Sequence, residues 1–141
     1  MTDILDSILY TAHTRTTGGR DGRGSSSDGE LDVRLSPPGS GRPGSNPEQL
    51  FGVGWSACFI GALRRAGQKL EIRLPADVAV AADVTLGTTD NGSGFALAAR
   101  LTVELPGLPA GDKAKLVETA HRICPYSRAT RGNIEVTFEV P

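Results

Sequence analysis

The sequence predicts a single domain of mixed α and β structure. Its 141 residues sit near the commonest domain size and suffice for one hydrophobic core. The run from Leu50 to Leu63 is apolar nearly all round, as a buried helix is. Several other runs alternate apolar and polar side chains, as half-buried strands do.

The elements follow in order. Ile8 to Thr16 reads as a strand of mixed polarity, and Gly18-Gly19-Arg20-Asp21-Gly22 as a tight turn that carries Arg20. Arg23 to Ser27 and Leu31 to Leu35 read as further extended segments, giving an N-terminal meander. Pro37 to Ser45, almost all Pro, Gly and Ser, reads as a mobile loop too short to divide domains. Asn46-Pro47-Glu48-Gln49 starts a helix: Asn caps free amides, Pro suits the first helical position, and Gln49 completes a capping box. Glu48 falls in the first turn, and the helix runs to about Arg65. Val78 to Leu86 and Phe95 to Leu105 are two long strands joined at Asp90-Asn91-Gly92-Ser93-Gly94. A second helix spans about Asp112 to Cys124, with Pro125 as its stop, and Ile134 to Val140 closes the chain as a strand.

The formal net charge of -1 gives no electrostatic footprint for nucleic acid or an anionic membrane surface. The N-terminus lacks a basic segment followed by an apolar one, and no apolar run approaches the roughly 20 residues that span a bilayer. The expectation is a soluble, cytoplasmic protein. In that reducing compartment a purely structural disulfide is a weak explanation for two cysteines, so free, reactive or metal-bound thiols are the options.

Cys58 lies mid-helix in an apolar setting that holds a thiol protonated, so reactivity requires a nearby cation. Arg20 is the best candidate for that cation, and Glu48 for a bidentate partner that orients it. Cys124, at a helix end beside Pro125, is placed to move locally and capture an oxidised partner. The blander readings stay open: core cysteines, a solvated Arg20, and a Glu48 that merely faces the helix dipole. A metal-binding module is another, with His121 and Cys124 three apart on a helix and Cys58 or His13 as further ligands, although structural zinc spacings are absent. A redox-sensing module using the same cysteines is a third. Phe51, seven residues before Cys58 on the same helical face, with Phe95 and Tyr126, would line an apolar funnel around the sulfur.

Three longer patterns decide among these. Tyr10-Thr11-Ala12-His13, Thr17 to Arg23 and Ser26-Ser27-Asp28-Gly29 occur in order near the N-terminus. Asn46 to Phe51 and Ser56 to Leu63 surround Glu48 and Cys58, and Ala120 to Ser127 with Ala129 to Ile134 surround Cys124. Together they resemble the motifs of organic hydroperoxide resistance (Ohr) proteins within the Ohr/OsmC superfamily. The resemblance runs from about Tyr10 to Val140.

It implies an OsmC-like α+β fold, with antiparallel sheets around central helices, residues 1–141 as one domain, and an intertwined homodimer. It further implies a thiol-dependent organic hydroperoxide reductase, with Cys58 peroxidatic, Cys124 resolving, and Arg20 with Glu48 activating the thiolate. Alkyl and fatty-acid hydroperoxides are the implied substrates and a lipoylated protein or dihydrolipoamide the implied reductant, with no tightly bound cofactor. Departures from the family pattern are Gly52-Val53-Gly54-Trp55 in place of Ala-Ala-Gly-Tyr, Arg128 in place of Asn, and a shortened stretch after Leu63.

Overall fold

The computed structural model describes residues 2–141 and divides into two compact units, one ending at Pro47 and the other Glu48–Pro141. Each builds its own three-stranded sheet.

In the first unit β1 (Thr14–Thr17), β2 (Arg23–Ser26) and β3 (Asp32–Arg34) form the expected antiparallel meander with β2 in the middle. The first strand is shorter than the sequence suggests. Its partner β2 is four residues long, so Ile8 to Tyr10 lie outside the ladder with exposed side chains. Arg20 occupies a single 3₁₀ turn, Gly19–Asp21, entered through Gly18 at φ 74°. At Gly22 a Cβ would stand 1.7 Å from the Thr17 carbonyl oxygen, so only glycine closes this turn.

The stretch expected to be a mobile loop is tied down. Backbone bonds join Ser36 to Ser45 and Ser45 to Arg34, at 2.9 and 2.8 Å. The Ser36 hydroxyl meets Ser40 Oγ at 2.7 Å, and the Arg42 guanidinium pairs with Asp21 at 2.8 Å.

The second unit runs α1 (Pro47–Leu70), β4 (Ala79–Thr89), β5 (Gly94–Glu104), α2 (Ala110–Ile123), α3 (Pro125–Thr130) and β6 (Glu135–Glu139). β4 and β5 form the predicted antiparallel hairpin, turning through Asn91 at φ 57°. The pairing departs from wholly antiparallel at one ladder, because β6 lies parallel to β5. The chain leaves β5, crosses through two helices and returns in the same direction, as a helical crossover requires.

The core forms between α1, α2 and the inner face of this sheet. Ala99, Leu101 and Val103 alternate inward along β5 and, with Leu105 just past its end, meet Trp55, Phe59, Leu63 and Ala66 of α1 and Leu116 and Ala120 of α2. Each large side chain so buried contributes about 1.5–3 kcal/mol. On the outer face Arg100 bridges Asp83 of β4 and Glu139 of β6, at 3.1 and 3.5 Å.

α1 is not buried all round. Its buried residues fall on one face, while Val53 on the other is 72 % exposed. It also runs a turn past Arg65. Glu71 adopts φ 58° and the Ile72 N–H reaches back to the Gly67 carbonyl at 2.9 Å, a left-handed closure of the last turn. α2 ends at Ile123 as Pro125 anticipates, but Pro125 also opens α3, since proline stops one helix and is favoured at the first position of the next. Among the described residues no helix is long and apolar enough to cross a membrane.

Candidate active site

Cys124 is the joint between α2 and α3. Its own N–H closes α2 on the Ala120 carbonyl at 2.8 Å, and its carbonyl accepts from Arg128 N–H at 2.9 Å as α3 begins. At this joint the backbone is extended, with φ −61° and ψ 122°, and the side chain is fully buried. Both cysteines are free thiols, and Cys58 on α1 is half-buried.

The fold brings the two thiols together although they lie far apart in sequence. The Cys58 and Cys124 side chains lie close enough to act on one another electrostatically, and the Tyr126 backbone amide lies beside Cys58. Burial pushes the Cys58 thiol upward, the neighbouring Cys124 sulfur pushes it further, and the Tyr126 amide acts the other way without offsetting them. This environment therefore favours the neutral thiol, and a nucleophilic Cys58 needs positive charge from elsewhere.

Aromatic rings cluster on the elements that carry the two cysteines. Phe51 lies 5.5 Å from Trp55 and 5.9 Å from Tyr126, ring centre to ring centre. Trp55 is fully buried and its Nε1–H donates to Ser127 Oγ at 3.4 Å, linking α1 to α3. Gly54 leaves room for Tyr126, whose hydroxyl would stand 3.1 Å from a Cβ there. Phe95 does not join these rings. It stands 77 % exposed near the start of β5, beside the exposed hairpin residues 87–93.

Of the four residues singled out from the sequence, Cys58 and Cys124 meet. Glu48 lies in the first turn of α1, and Arg20 lies in the 3₁₀ turn of the first unit. Sequence reasoning missed Ser127 and the Tyr126 amide. Ser127 offered only its place three residues past Cys124, and a backbone amide has no side-chain signature at all.

The proposed metal ligands do not assemble: among the described residues no three His, Cys, Asp or Glu side chains group to hold an ion. His121 instead packs edge-on against Phe138 at 4.8 Å, and its Nδ1 is buried without a hydrogen-bond partner. Burial, and secondarily Arg131, hold its imidazole below the usual histidine range.

A family model described as OsmC-like protein matches residues 38–139. The organic hydroperoxide resistance protein of Xanthomonas axonopodis pv. citri is 46 % identical over 137 residues, covering 94 % of this chain and 95 % of its own. The crystal structure of the organic hydroperoxide resistance protein OhrB of Bacillus subtilis superposes with a TM-score of 0.89 at 38 % identity, covering 95 % of this chain and all of that one. A Vibrio cholerae structure, described as a putative organic hydroperoxide resistance protein with captopril in one of its active sites, gives 0.89 at 36 %, covering 99 % and 96 %. The α+β fold, the paired cysteines and these similarities agree: the chain belongs to the organic hydroperoxide resistance branch of the OsmC-like family.

Proposed function

We propose that this chain is a cysteine-based peroxidase that reduces organic hydroperoxides, and that it works in the cytoplasm as a homodimer. The observation that carries the reading is the proximity of Cys58 and Cys124, on the same helical elements that bring Phe51, Trp55 and Tyr126 together. The Cys58 thiolate attacks the peroxide, releasing the alcohol and leaving a sulfenic acid. Cys124 condenses with it, expelling water and forming a disulfide. A dithiol such as dihydrolipoamide, free or carried on a lipoylated protein, then returns both cysteines to thiols.

The upward pressure on the Cys58 thiol defines what the rest of the machinery must do. Arg20, oriented by Glu48, supplies the positive charge that favours the thiolate. Phe51, Trp55 and Tyr126 favour alkyl and fatty-acid hydroperoxides over hydrogen peroxide by their apolar surface. Association of two chains is supported by the exposed apolar side chains of Ile4, Leu5, Ile8, Leu9 and Tyr10 in the first unit and Val53 in the second.

The test is consumption of cumene hydroperoxide with dihydrolipoamide. Cys58→Ser abolishes turnover. Cys124→Ser allows one round of Cys58 oxidation without a disulfide, read by mass spectrometry. Arg20→Ala moves the pH dependence of Cys58 oxidation to higher pH. Full activity in Cys58→Ser refutes the reading.

A further inference from the structure

The far end of α1 carries Arg64, Arg65 and Lys69, and Arg73 follows beyond it. All four are exposed, and among the described residues none of their side chains makes a hydrogen bond or an ion pair. This sets them apart from Arg100 and Arg122 of the same unit, which are paired with carboxylates. Arg64 and Arg73 line an open hollow of about 470 Å³ together with Ile72 and Leu74, and Glu71 is the one acid there.

Helix geometry relates this patch to the sulfur pair. Arg65 and Lys69 follow Cys58 by seven and eleven residues, so at ~100° per residue both return to within about 20° of its direction. At ~1.5 Å per residue they lie about 10 and about 16 Å along the axis from it. Unpaired, exposed cations on the face of the reactive cysteine are suited to steering a negatively charged partner.

We propose that this basic end of α1 is the docking surface for an acidic carrier protein that delivers the reducing dithiol to the Cys58–Cys124 disulfide. The inference rests on the peroxidase reading above. A free small dithiol needs no docking surface, whereas a protein-borne one must hold its carrier within reach of the disulfide. In the step itself one carrier thiolate attacks a sulfur of the disulfide and forms a mixed disulfide. The second carrier thiol then displaces the remaining cysteine. Two electrons pass, both cysteines regain their protons, and the carrier leaves as its own disulfide.

The experiment compares free dihydrolipoamide with an acidic dihydrolipoyl carrier domain, using uncharged cumene hydroperoxide. The charge-reversed Arg65→Glu/Lys69→Glu protein raises KM for the carrier about tenfold, and Arg65→Gln/Lys69→Gln about threefold, because steering scales with charge. Both keep KM and kcat for free dihydrolipoamide within about twofold of the unmodified protein. For the unmodified protein, kcat/KM with the carrier falls as salt rises from about 20 to about 300 mM. An unchanged KM for the carrier, or a kcat/KM indifferent to salt, overturns the proposal. So does a KM increase confined to a carboxylate-bearing hydroperoxide, which would make the patch a substrate anchor. Absence of turnover with free dihydrolipoamide in the unmodified protein instead overturns the peroxidase reading beneath it.

Discussion

The contact between Trp55 and Ser127 ties the helix of Cys58 to the segment that follows Cys124, so breaking it tests whether that tie matters. At 3.4 Å it is ~0.4 Å longer than the usual N–H···O distance, which puts it at the weak end, about 0.5–1 kcal/mol. Ser127→Ala removes the acceptor and leaves a buried indole N–H unpaired, with an expected loss of about 1–2 kcal/mol. Trp55→Phe removes the donor and opens space in the core, with an expected loss of about 2–4 kcal/mol. The double variant should lose less than the sum by about 0.5–1 kcal/mol. Urea unfolding at fixed protein concentration reads this. With a slope near 2 kcal/mol/M, each kilocalorie moves the midpoint by roughly 0.5 M. Ser127→Ala should also slow closure of the Cys58–Cys124 disulfide after a stoichiometric pulse of peroxide. A Ser127→Ala protein as stable as the parent, with no coupling to Trp55→Phe, refutes the tie and leaves the contact as packing alone.

Two further outcomes follow from the same unit. His121 is held below its usual range by burial and by Arg131, so between that lowered value and about 6.5 the unfolded chain binds the proton first. Stability is therefore full above about pH 6.5 and falls as pH drops through this window, and His121→Gln should flatten that slope in urea midpoints taken at several pH values. Gly67→Ala would place a Cβ 2.7 Å from the Ile72 carbonyl oxygen, and the resulting backbone shift, costing about 1–3 kcal/mol, outweighs the roughly 1 kcal/mol gain in helix propensity. A lower unfolding midpoint is expected, and a raised one would show that the closure of α1 gives way freely.

Much of this fold was legible in the sequence because local chemistry and tertiary packing agree there. The β4–β5 hairpin shows both its alternation and its turn residues, and the start of α1 shows its proline at the first position. What escaped reading depended on distant atoms. The last turn of α1 exists because Ala66 and Gly67 are buried and Ile72 folds back on Gly67, whereas locally Gly67 reads as a weak helix former. α3 is hidden because a proline after a helix signals its stop as readily as the start of a new one. Val53 is exposed although its neighbours are apolar, since helix periodicity alone does not say which face meets the sheet. At the site, residue types and motifs single out both cysteines, but their proximity arises from the packing of α1 against the α2–α3 joint, and no spacing encodes that.

Trp55 has a practical consequence as well. The chain holds one tryptophan, fully buried at the seam between α1 and α3, with its indole nitrogen on Ser127 and its ring against Phe51. Its fluorescence therefore comes from a single known position, free of overlap from any second indole. If the proposed disulfide between Cys58 and Cys124 rearranges α3, the polarity and packing that set this emission change with it. On that proposal the single indole is an optical gauge of thiol state, readable in real time without a label.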